Sequence, residues 1–194
     1  SYVAQLGARE ANAQRERYGY QLEPYQVHAE LAWQGTRDLW AELDYAARHL
    51  EARNRWRSGL LRELAEWIAL LHDTGKLSRG WQGWVRGYQA AIGQPVAQGS
   101  YAHTDYDPTN PQHDLAAKQQ GRRPSHAVES AVAVAPLLIP FGDIPAKAAF
   151  TAIARHHGPF TEAFTLYQLE RQTSQIIGAL LEQYQNYQAP AQLV

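Results

Sequence analysis

One apolar segment of this chain ends in an adjacent histidine and aspartate, in the run Leu70-Leu71-His72-Asp73-Thr74-Gly75-Lys76. Residues 58–73 carry leucine and isoleucine on one side of a helix and charged residues on the other, which predicts an amphipathic helix. Neighbouring side chains on a regular helix point about 100° apart, so both can face one ion only where the helix loosens. Gly75 predicts that break, and the C-terminal end of a helix favours a cation. The segment therefore predicts two metal ligands at a helix end.

The composition narrows the chemistry of such a site. The chain has 194 residues, of which 45% are hydrophobic, so we expect one compact domain. It has no cysteine, which excludes disulfides, thiolate zinc sites and cysteine nucleophiles, and any metal must be held by histidine and carboxylate. A net charge of -1 argues against a globally basic nucleic-acid coat protein. No apolar run reaches the roughly 18 residues of a membrane span, so we expect a soluble cytoplasmic protein without a membrane partner.

Helical periodicity dominates the rest of the chain. We expect a polar leader over 1–24 and one domain over 25–194. Helices are expected over 25–50 (one bent helix or two short ones), 58–73, 81–91, 124–138 with Pro124 in the first turn, 145–157, and from Thr161 or Leu166 to Tyr187. The stretch 93–123 is rich in Gly, Pro, Asp and Asn and predicts a long loop or lid. No useful period-2 alternation is present, so the predicted fold class is an all-α helical bundle with a long loop insertion.

Histidines recur where these helices change from apolar to polar, and His28 lies early in the first helix. The candidate ligands, spread over four helices, are His28, His72, Asp73, His126, His156 and His157. Helical bundles build metal sites from side chains on facing helices. Imidazole and carboxylate together predict one or two divalent ions, Mn, Ni, Co, Fe, Zn or Mg, and two ions could share an aspartate bridge. We expect His49, His103 and His113 to be ordinary core or surface residues, solvated where they are exposed, and not ligands.

The ordered set of histidines and Asp73 resembles the HD-domain metal-dependent phosphohydrolases. More narrowly, the phrases LLHDTGKLSRGWQGW, RPSHAVESA and AIARHHGPF resemble the HD nuclease domain of Cas3, the nuclease-helicase of type I CRISPR systems. The resemblance covers about residues 25–160. It implies a helical HD fold that cuts single-stranded DNA with divalent metals, works with a helicase domain or subunit, and is recruited by an RNA-guided surveillance complex (Cascade).

The resemblance also implies roles for individual residues. One metal would be held by His28, His72 and Asp73, with Asp73 bridging to a second metal held by His126, His156 and His157. Lys76 would contact the scissile phosphate and stabilise charge in the transition state. A metal-bound hydroxide would be the nucleophile. Asp73 and Lys76 are thus the candidate catalytic residues.

Candidate nucleic-acid contacts lie on both sides of the predicted loop. Besides Lys76, they are Trp81 and Gln82, where the family tends to place an aromatic-Gln pair, and Arg122 and Arg123 just before His126. Trp81 belongs to a helical aromatic stripe, so a core role competes with base stacking. The two arginines are equally consistent with a solvated loop pair or with a phosphate contact.

One departure from the family pattern leaves other functions open. Family members usually supply a late aspartate, yet Asp143 is the last in this chain. The candidates for that place are Ser174 and Gln175, and the only later acidic residues are Glu162, Glu170 and Glu182. The alternative functions are a phosphohydrolase acting on a nucleotide or cyclic nucleotide in a closed pocket, and a recruitment module whose metal site has decayed.

Overall fold

The computed structural model describes residues 20–157 and 168–188, and this part of the chain is built almost entirely from helices. Its eight α-helices are α1 (Tyr25–Asp38), α2 (Trp40–Asn54), α3 (Leu60–Leu71), α4 (Arg79–Ala91), α5 (Pro111–Gln120), α6 (Ala127–Leu138), α7 (Asp143–Ala154) and α8 (Thr173–Gln188). Short 3-10 turns span Thr74–Leu77 and Ile139–Phe141. The predicted all-α class is confirmed. None of the described helices is long and apolar enough to cross a membrane.

Several predicted boundaries need correction. The segment 25–50 forms two helices that meet at Leu39, the second of the expected arrangements. The stretch 93–123, expected as a loop, instead contains a strand, β2 (Tyr101–His103), and helix α5. Pro124 lies before α6 and not in its first turn. Helix α8 begins only at Thr173, and the expected starts at Thr161 and Leu166 lie outside the described residues.

The expected leader is only partly described, since residues 1–19 lie outside the structure's description. Its last residues belong to the fold. Tyr20 pairs with Tyr106, and β1 (Glu23–Pro24) pairs antiparallel with β2, with Glu23 opposite His103. The amide of Tyr25, the first residue of α1, donates to the Ser100 carbonyl at 2.9 Å. This small sheet therefore fastens the 93–123 stretch to the start of α1.

The core lies between α3 and the helices around it. Leu70 and Leu71 of α3 are 1% and 0% exposed. The apolar face that the sequence predicts is buried at Leu60, Leu64 and Leu71 and half-buried at Leu61, Trp67 and Ile68. Helix α3 packs against α1 and α7, and α6 packs against α7. Burying such leucines stabilises the fold by about 1.5–3 kcal/mol each. The core therefore holds the end of α3, directly before His72 and Asp73, in a fixed position.

A sharp turn follows α3 and directs the chain into α4. Asp73 precedes the 3-10 turn Thr74–Leu77, and Ser78 caps α4 by accepting a hydrogen bond from the Trp81 amide at 3.3 Å. Gly75 lies in this turn without a positive φ, so a left-handed backbone conformation does not explain the glycine. A Cβ at Gly75 would instead lie 2.3 Å from the His126 carbonyl oxygen. Glycine is needed here because the backbone of α6 approaches too closely for any side chain.

Candidate metal centre

The carboxylate of Asp73 lies at the centre of a buried histidine cluster. Its Oδ1 atom is 3.1 Å from the Nε2 atoms of both His126 and His156. Its Oδ2 atom is 2.9 Å from Nε2 of His28 and 3.5 Å from Nε2 of His72. Asp73 is only 3% exposed. Each carboxylate oxygen therefore faces its own pair of histidines.

His157 completes the cluster from the solvent side. Its Nε2 atom is 2.8 Å from Nε2 of His126, and its ring centroid is 4.0 Å from that of His156. Two sets of side chains have ligand atoms within 4.8 Å of one another: Asp73 with His126, His156 and His157, and Asp73 with His28 and His72. The fold thus brings together the six residues that the sequence singled out as ligands. A His/Asp cluster of this kind can hold a metal ion.

Helix ends place most of these side chains. His72 is the C-cap of α3 and Asp73 the N-cap of the following 3-10 turn. His126 is the N-cap of α6, and His156 lies in the turn directly after α7. Residues at helix ends escape the 100° spacing of the helix interior. His72 and Asp73 can therefore face the same volume although they are neighbours in sequence.

Hydrogen bonds at the far nitrogen fix the orientation of three rings. Nδ1 of His28 lies 2.9 Å from Glu23 Oε2, Nδ1 of His72 lies 2.8 Å from the Ala69 carbonyl, and Nδ1 of His156 lies 2.6 Å from the Ile153 carbonyl. Carbonyl and carboxylate oxygens only accept hydrogen bonds, so Nδ1 carries the proton in each case. In the neutral ring this leaves a lone pair on Nε2, which faces Asp73. That is the usual arrangement of metal-binding histidines.

One buried nitrogen supports the fit to a metal directly. Nε2 of His28 is buried and has no hydrogen-bond partner among the described residues, although it lies 2.9 Å from Asp73 Oδ2. The contact lacks the angles of a hydrogen bond. An unpartnered buried polar atom is costly in a folded protein. A cation bound between His28 and Asp73 would satisfy both groups.

The protonation states of the cluster suit a cation. Burial alone would raise the pKa of Asp73, but contacts with the histidines and the charge of Lys76 hold this pKa well below its usual range. Burial lowers the pKa of His72 and of His126. Burial, followed by the neighbouring histidines, lowers the pKa of His157 to about 4. At neutral pH His72, His126 and His157 therefore offer neutral imidazoles and Asp73 an ionised carboxylate, which are the states that bind metals.

Lys76 lies beside the cluster and forms a buried ion pair. Its Nζ atom is 2.7 Å from Asp73 Oδ2, and the residue is 3% exposed. Burial lowers the pKa of Lys76, and the Asp73 carboxylate opposes that shift. The Trp81 ring centroid lies 5.2 Å from Lys76 Nζ and 5.3 Å from Arg123 Cζ. The side-chain cations of Lys76 and Arg123 thus both contact the Trp81 ring next to the site.

The aromatic-Gln pair is buried in the structure. Trp81 is 2% exposed, and its Nε1 donates to the Tyr101 carbonyl at 3.2 Å. Gln82 is fully buried, donates to the Lys76 and Tyr101 carbonyls at 2.7 and 2.9 Å, and accepts from the Tyr101 amide at 3.0 Å. Neither side chain is exposed for stacking or hydrogen bonding to a DNA strand. Their burial favours the core alternative for Trp81, and DNA contacts at these two residues stay a prediction.

The remaining candidate residues are more exposed. Arg122 and Arg123 are both exposed and directly precede the segment that carries His126. His49 is exposed, as expected. His113 is buried and accepts from the Asp107 amide at 2.9 Å, which agrees with the core alternative expected for it. His103 is half-buried, and its Nδ1 is 2.8 Å from Glu23 Oε2.

Two residues near the centre were missed by the sequence analysis. Glu23 and His103 form a third His/carboxylate group with His28. Glu23 lies five residues before His28, and the sequence offers no other signal for these two residues. Strand β1 is only two residues long, and its partner β2 is about 80 residues away in the sequence, so the pairing could not be predicted. In residues 20–157 and 168–188, no later acidic residue joins the groups around Asp73.

The candidates for the late position lie apart from the centre or outside the description. Glu170 pairs with Arg86 at 3.1 Å, and Ser174 and Gln175 are exposed in the first turn of α8. Glu182 is exposed on the same helix. Glu162 lies outside the described residues.

Comparison with known families agrees with this centre. The chain matches the family described as Cas3, HD domain, over residues 23–191. Neither the curated proteins nor the solved structures gave a match. The family match spans all six clustered ligands.

Proposed function

Because this chain belongs to the Cas3 HD-domain family, we propose that it is a divalent-metal-dependent nuclease that hydrolyses phosphodiester bonds in single-stranded DNA. In this proposal it is the HD nuclease part of a CRISPR interference nuclease-helicase. Its partners are a helicase domain or subunit and an RNA-guided surveillance complex, and it acts in the cytoplasm.

The observation that carries the proposal is the division of Asp73 between two histidine groups. Oδ1 faces His126 and His156 at 3.1 Å each, whereas Oδ2 faces His28 and His72 at 2.9 and 3.5 Å. A carboxylate used in this way suits a bridge between two divalent ions. His28 and His72 would complete one site, and His126, His156 and His157 the other. Divalent ions bound here supply Lewis-acid activation of water and of the phosphate.

The chain's own residues supply positive charge for the phosphate. Lys76 places an ammonium next to the Asp73 carboxylate, at the edge of the cluster. It would stabilise the negative charge that develops on the phosphate oxygens in the transition state. Arg122 and Arg123 are exposed, as is His157. A DNA strand can therefore approach from the side of His157, with the arginines on its backbone.

Cleavage of circular single-stranded DNA tests the proposal. We expect the purified chain to cut the circle with Mn, Ni, Co or Mg and not in EDTA, and we expect Asp73→Ala to be inactive. Asp143→Ala is the matched control, because Asp143 is an exposed aspartate that pairs with Lys147 on the surface of α7. Cutting a circle identifies an endonuclease, since a circle has no ends.

Other outcomes would overturn the proposal in distinct ways. Turnover of nucleotides or cyclic nucleotides without DNA cleavage would identify a small-molecule phosphohydrolase with the same ligands. Failure to bind any of these metals would identify a recruitment module with a decayed site. Full activity of Asp73→Ala would show that cleavage comes from elsewhere.

A further inference from the structure

We propose that Glu23 is a positioning residue that sets the tautomer and orientation of His28, and that His103 holds Glu23 in place. The inference deepens the proposed function and rests on it, because it concerns the way in which one ligand is presented to the metal. Neither Glu23 nor His103 is among the ligands assigned above.

A single carboxylate oxygen joins the two histidines. Oε2 of Glu23 is 2.9 Å from Nδ1 of His28 and 2.8 Å from Nδ1 of His103. The oxygen can only accept, so both rings donate Nδ1–H to it. Glu23 and His103 are also direct partners across the β1–β2 pair. The sheet therefore fixes the carboxylate from one side and His28 engages it from the other.

This arrangement determines which nitrogen of His28 is available. With the proton on Nδ1, Nε2 has a lone pair, and this atom is buried and faces Asp73 Oδ2 at 2.9 Å. Without Glu23, the neutral ring could carry its proton on Nε2, which would block the ligand position. The negative charge of Glu23 also makes Nε2 a stronger donor to a cation. Such supporting carboxylates typically change metal affinity by about 10- to 100-fold.

His103 connects the same carboxylate to the lysine. Its other nitrogen, Nε2, lies 3.5 Å from Lys76 Nζ, at the outer limit of a hydrogen bond. Lys76 in turn contacts Asp73 at 2.7 Å. Contacts from Glu23 thus reach Asp73 Oδ2 by two routes, one through His28 and one through His103 and Lys76. This explains why a histidine in the middle of a predicted loop is half-buried against the centre.

An alternative role for Glu23 is that of a direct metal ligand. Glu23, His28 and His103 have ligand atoms within 4.8 Å of one another. However, the oxygen already lies at hydrogen-bond distance from two nitrogens, so protons occupy the space between them. Metal stoichiometry separates the two roles. A positioning residue changes the affinity and leaves the number of bound ions the same.

The first test reads the tautomer in the metal-free wild-type chain. Proton–nitrogen correlation spectra of the imidazoles, assigned with His28→Gln, are expected to show the His28 proton on Nδ1. A proton on Nε2 would overturn the proposal. This measurement needs no metal and no substrate, so its result is independent of whether the chain is a nuclease.

The second test compares variants by Co²⁺ titration, followed by visible absorption. We expect Glu23→Ala to weaken Co²⁺ binding by about 10- to 100-fold with unchanged stoichiometry. We expect Glu23→Gln to lose less Co²⁺ affinity than Glu23→Ala, because the amide oxygen of glutamine still accepts a hydrogen bond from Nδ1–H although the negative charge is gone. An Ala variant with wild-type affinity, or one that loses an ion at saturation, would overturn the proposal.

Glu51 provides the matched control for a merely structural carboxylate. It is 4% exposed, and its two oxygens accept from the amides of Gly59 and Leu61 at 2.9 and 2.8 Å. Glu51→Ala is expected to lower the unfolding temperature without changing Co²⁺ affinity. Equal losses of affinity in the Glu23 and Glu51 variants would show that the effect is general destabilisation. If Co²⁺ binds as expected but DNA is not cut, the proposed function fails while the positioning role stands.

Discussion

Gly75 lies so close to His126 that a Cβ at position 75 would be 2.3 Å from the His126 carbonyl oxygen. The amide of Gly75 donates to Ser130 Oγ at 2.8 Å, and that hydroxyl donates to the same His126 carbonyl at 2.7 Å. Through these contacts the turn after Asp73 packs closely against the first turn of α6. The glycine therefore sets the separation between Asp73 and His126, which lie on different elements of the centre.

Gly75→Ala tests this close approach. The added methyl group has no space, so the turn and α6 must move apart, at a cost of about 1–3 kcal/mol in the free energy of unfolding. We also expect weaker Co²⁺ binding, because His126 moves away from Asp73. Urea unfolding and Co²⁺ titration measure the two effects.

Gly83→Ala is the control, because a Cβ at Gly83 meets nothing within 4 Å. Since Gly83 lies inside α4, this variant is expected to gain about 0.5–1 kcal/mol in the free energy of unfolding. Equal behaviour of the two variants would contradict the steric explanation.

Asp73→Asn tests the central carboxylate while keeping its shape. The neutral amide cannot offer an anionic oxygen to each histidine group, so we expect loss of bound metal and cleavage no higher than in EDTA. Metal content by mass spectrometry and cleavage of circular DNA give the two readouts. Asp143→Asn should retain full metal content and activity, because Asp143 is 74% exposed. Retained metal in Asp73→Asn would remove Asp73 from the centre of the site.

Lys76→Gln tests the role of the buried ammonium. If Lys76 stabilises charge only in the transition state, kcat falls by about 10²- to 10³-fold and KM changes little. Metal affinity should not weaken, because a positive charge next to the cations is removed. Lys118→Gln on α5 serves as the control, since Lys118 is exposed. A rise in KM with unchanged kcat would instead assign Lys76 to ground-state binding of DNA.

Arg123→Gln tests the exposed arginine beside Trp81. If Arg123 contacts a phosphate, the variant should bind DNA of any sequence more weakly. The slope of the logarithm of the binding constant against the logarithm of the salt concentration should be smaller by about 1. Fluorescence anisotropy of a labelled oligothymidine across a salt series, in EDTA, measures that slope without cleavage. Arg53→Gln is the control, because Arg53 is exposed at the end of α2. The same slope in both variants would make Arg123 a solvated loop residue.

Tyr88 predicts a loss of stability at alkaline pH. Burial raises the pKa of Tyr88 to about 12 from its ordinary value of 10.0, and its hydroxyl has no hydrogen-bond partner among the described residues. The folded state keeps the proton that the unfolded chain loses near pH 10. The free energy of unfolding is therefore unaffected by ionisation of Tyr88 below pH 10 and decreases as the pH rises from 10 towards 12. Urea unfolding at intervals over this range should show a shallower decline for Tyr88→Phe than for the wild type. Burial also raises the pKa of Tyr25 and of Tyr184, so part of the decline remains in the variant. An identical decline in both proteins would contradict the prediction.

Local patterns in the chain predicted the helical class and the residues that cluster around Asp73. The apolar face of α3 follows from its periodicity, and His72 and Asp73 follow from the place where that periodicity ends. His126 and His156 lie near the ends of helices in the same way. Such signals depend on a few neighbouring residues, which is why one sequence suffices to find them. Local signals for α5 are present within 93–123, since Asn110 caps the helix, Pro111 is its first residue and Gly121 follows its last, but the loop prediction did not use them. Strand β2 depends instead on its pairing with β1.

Contacts between distant parts of the chain decided how the centre is supported. Trp81 and Gln82 look like surface candidates in a motif, yet both are buried by the backbone of Tyr101. Glu23 reaches His103 only because two short strands pair across the fold. Gly75 is explained by the approach of α6 and not by its own dihedral angles. The choice of side chains is local in sequence, whereas burial, pairing and steric fit exist only once the elements have packed together.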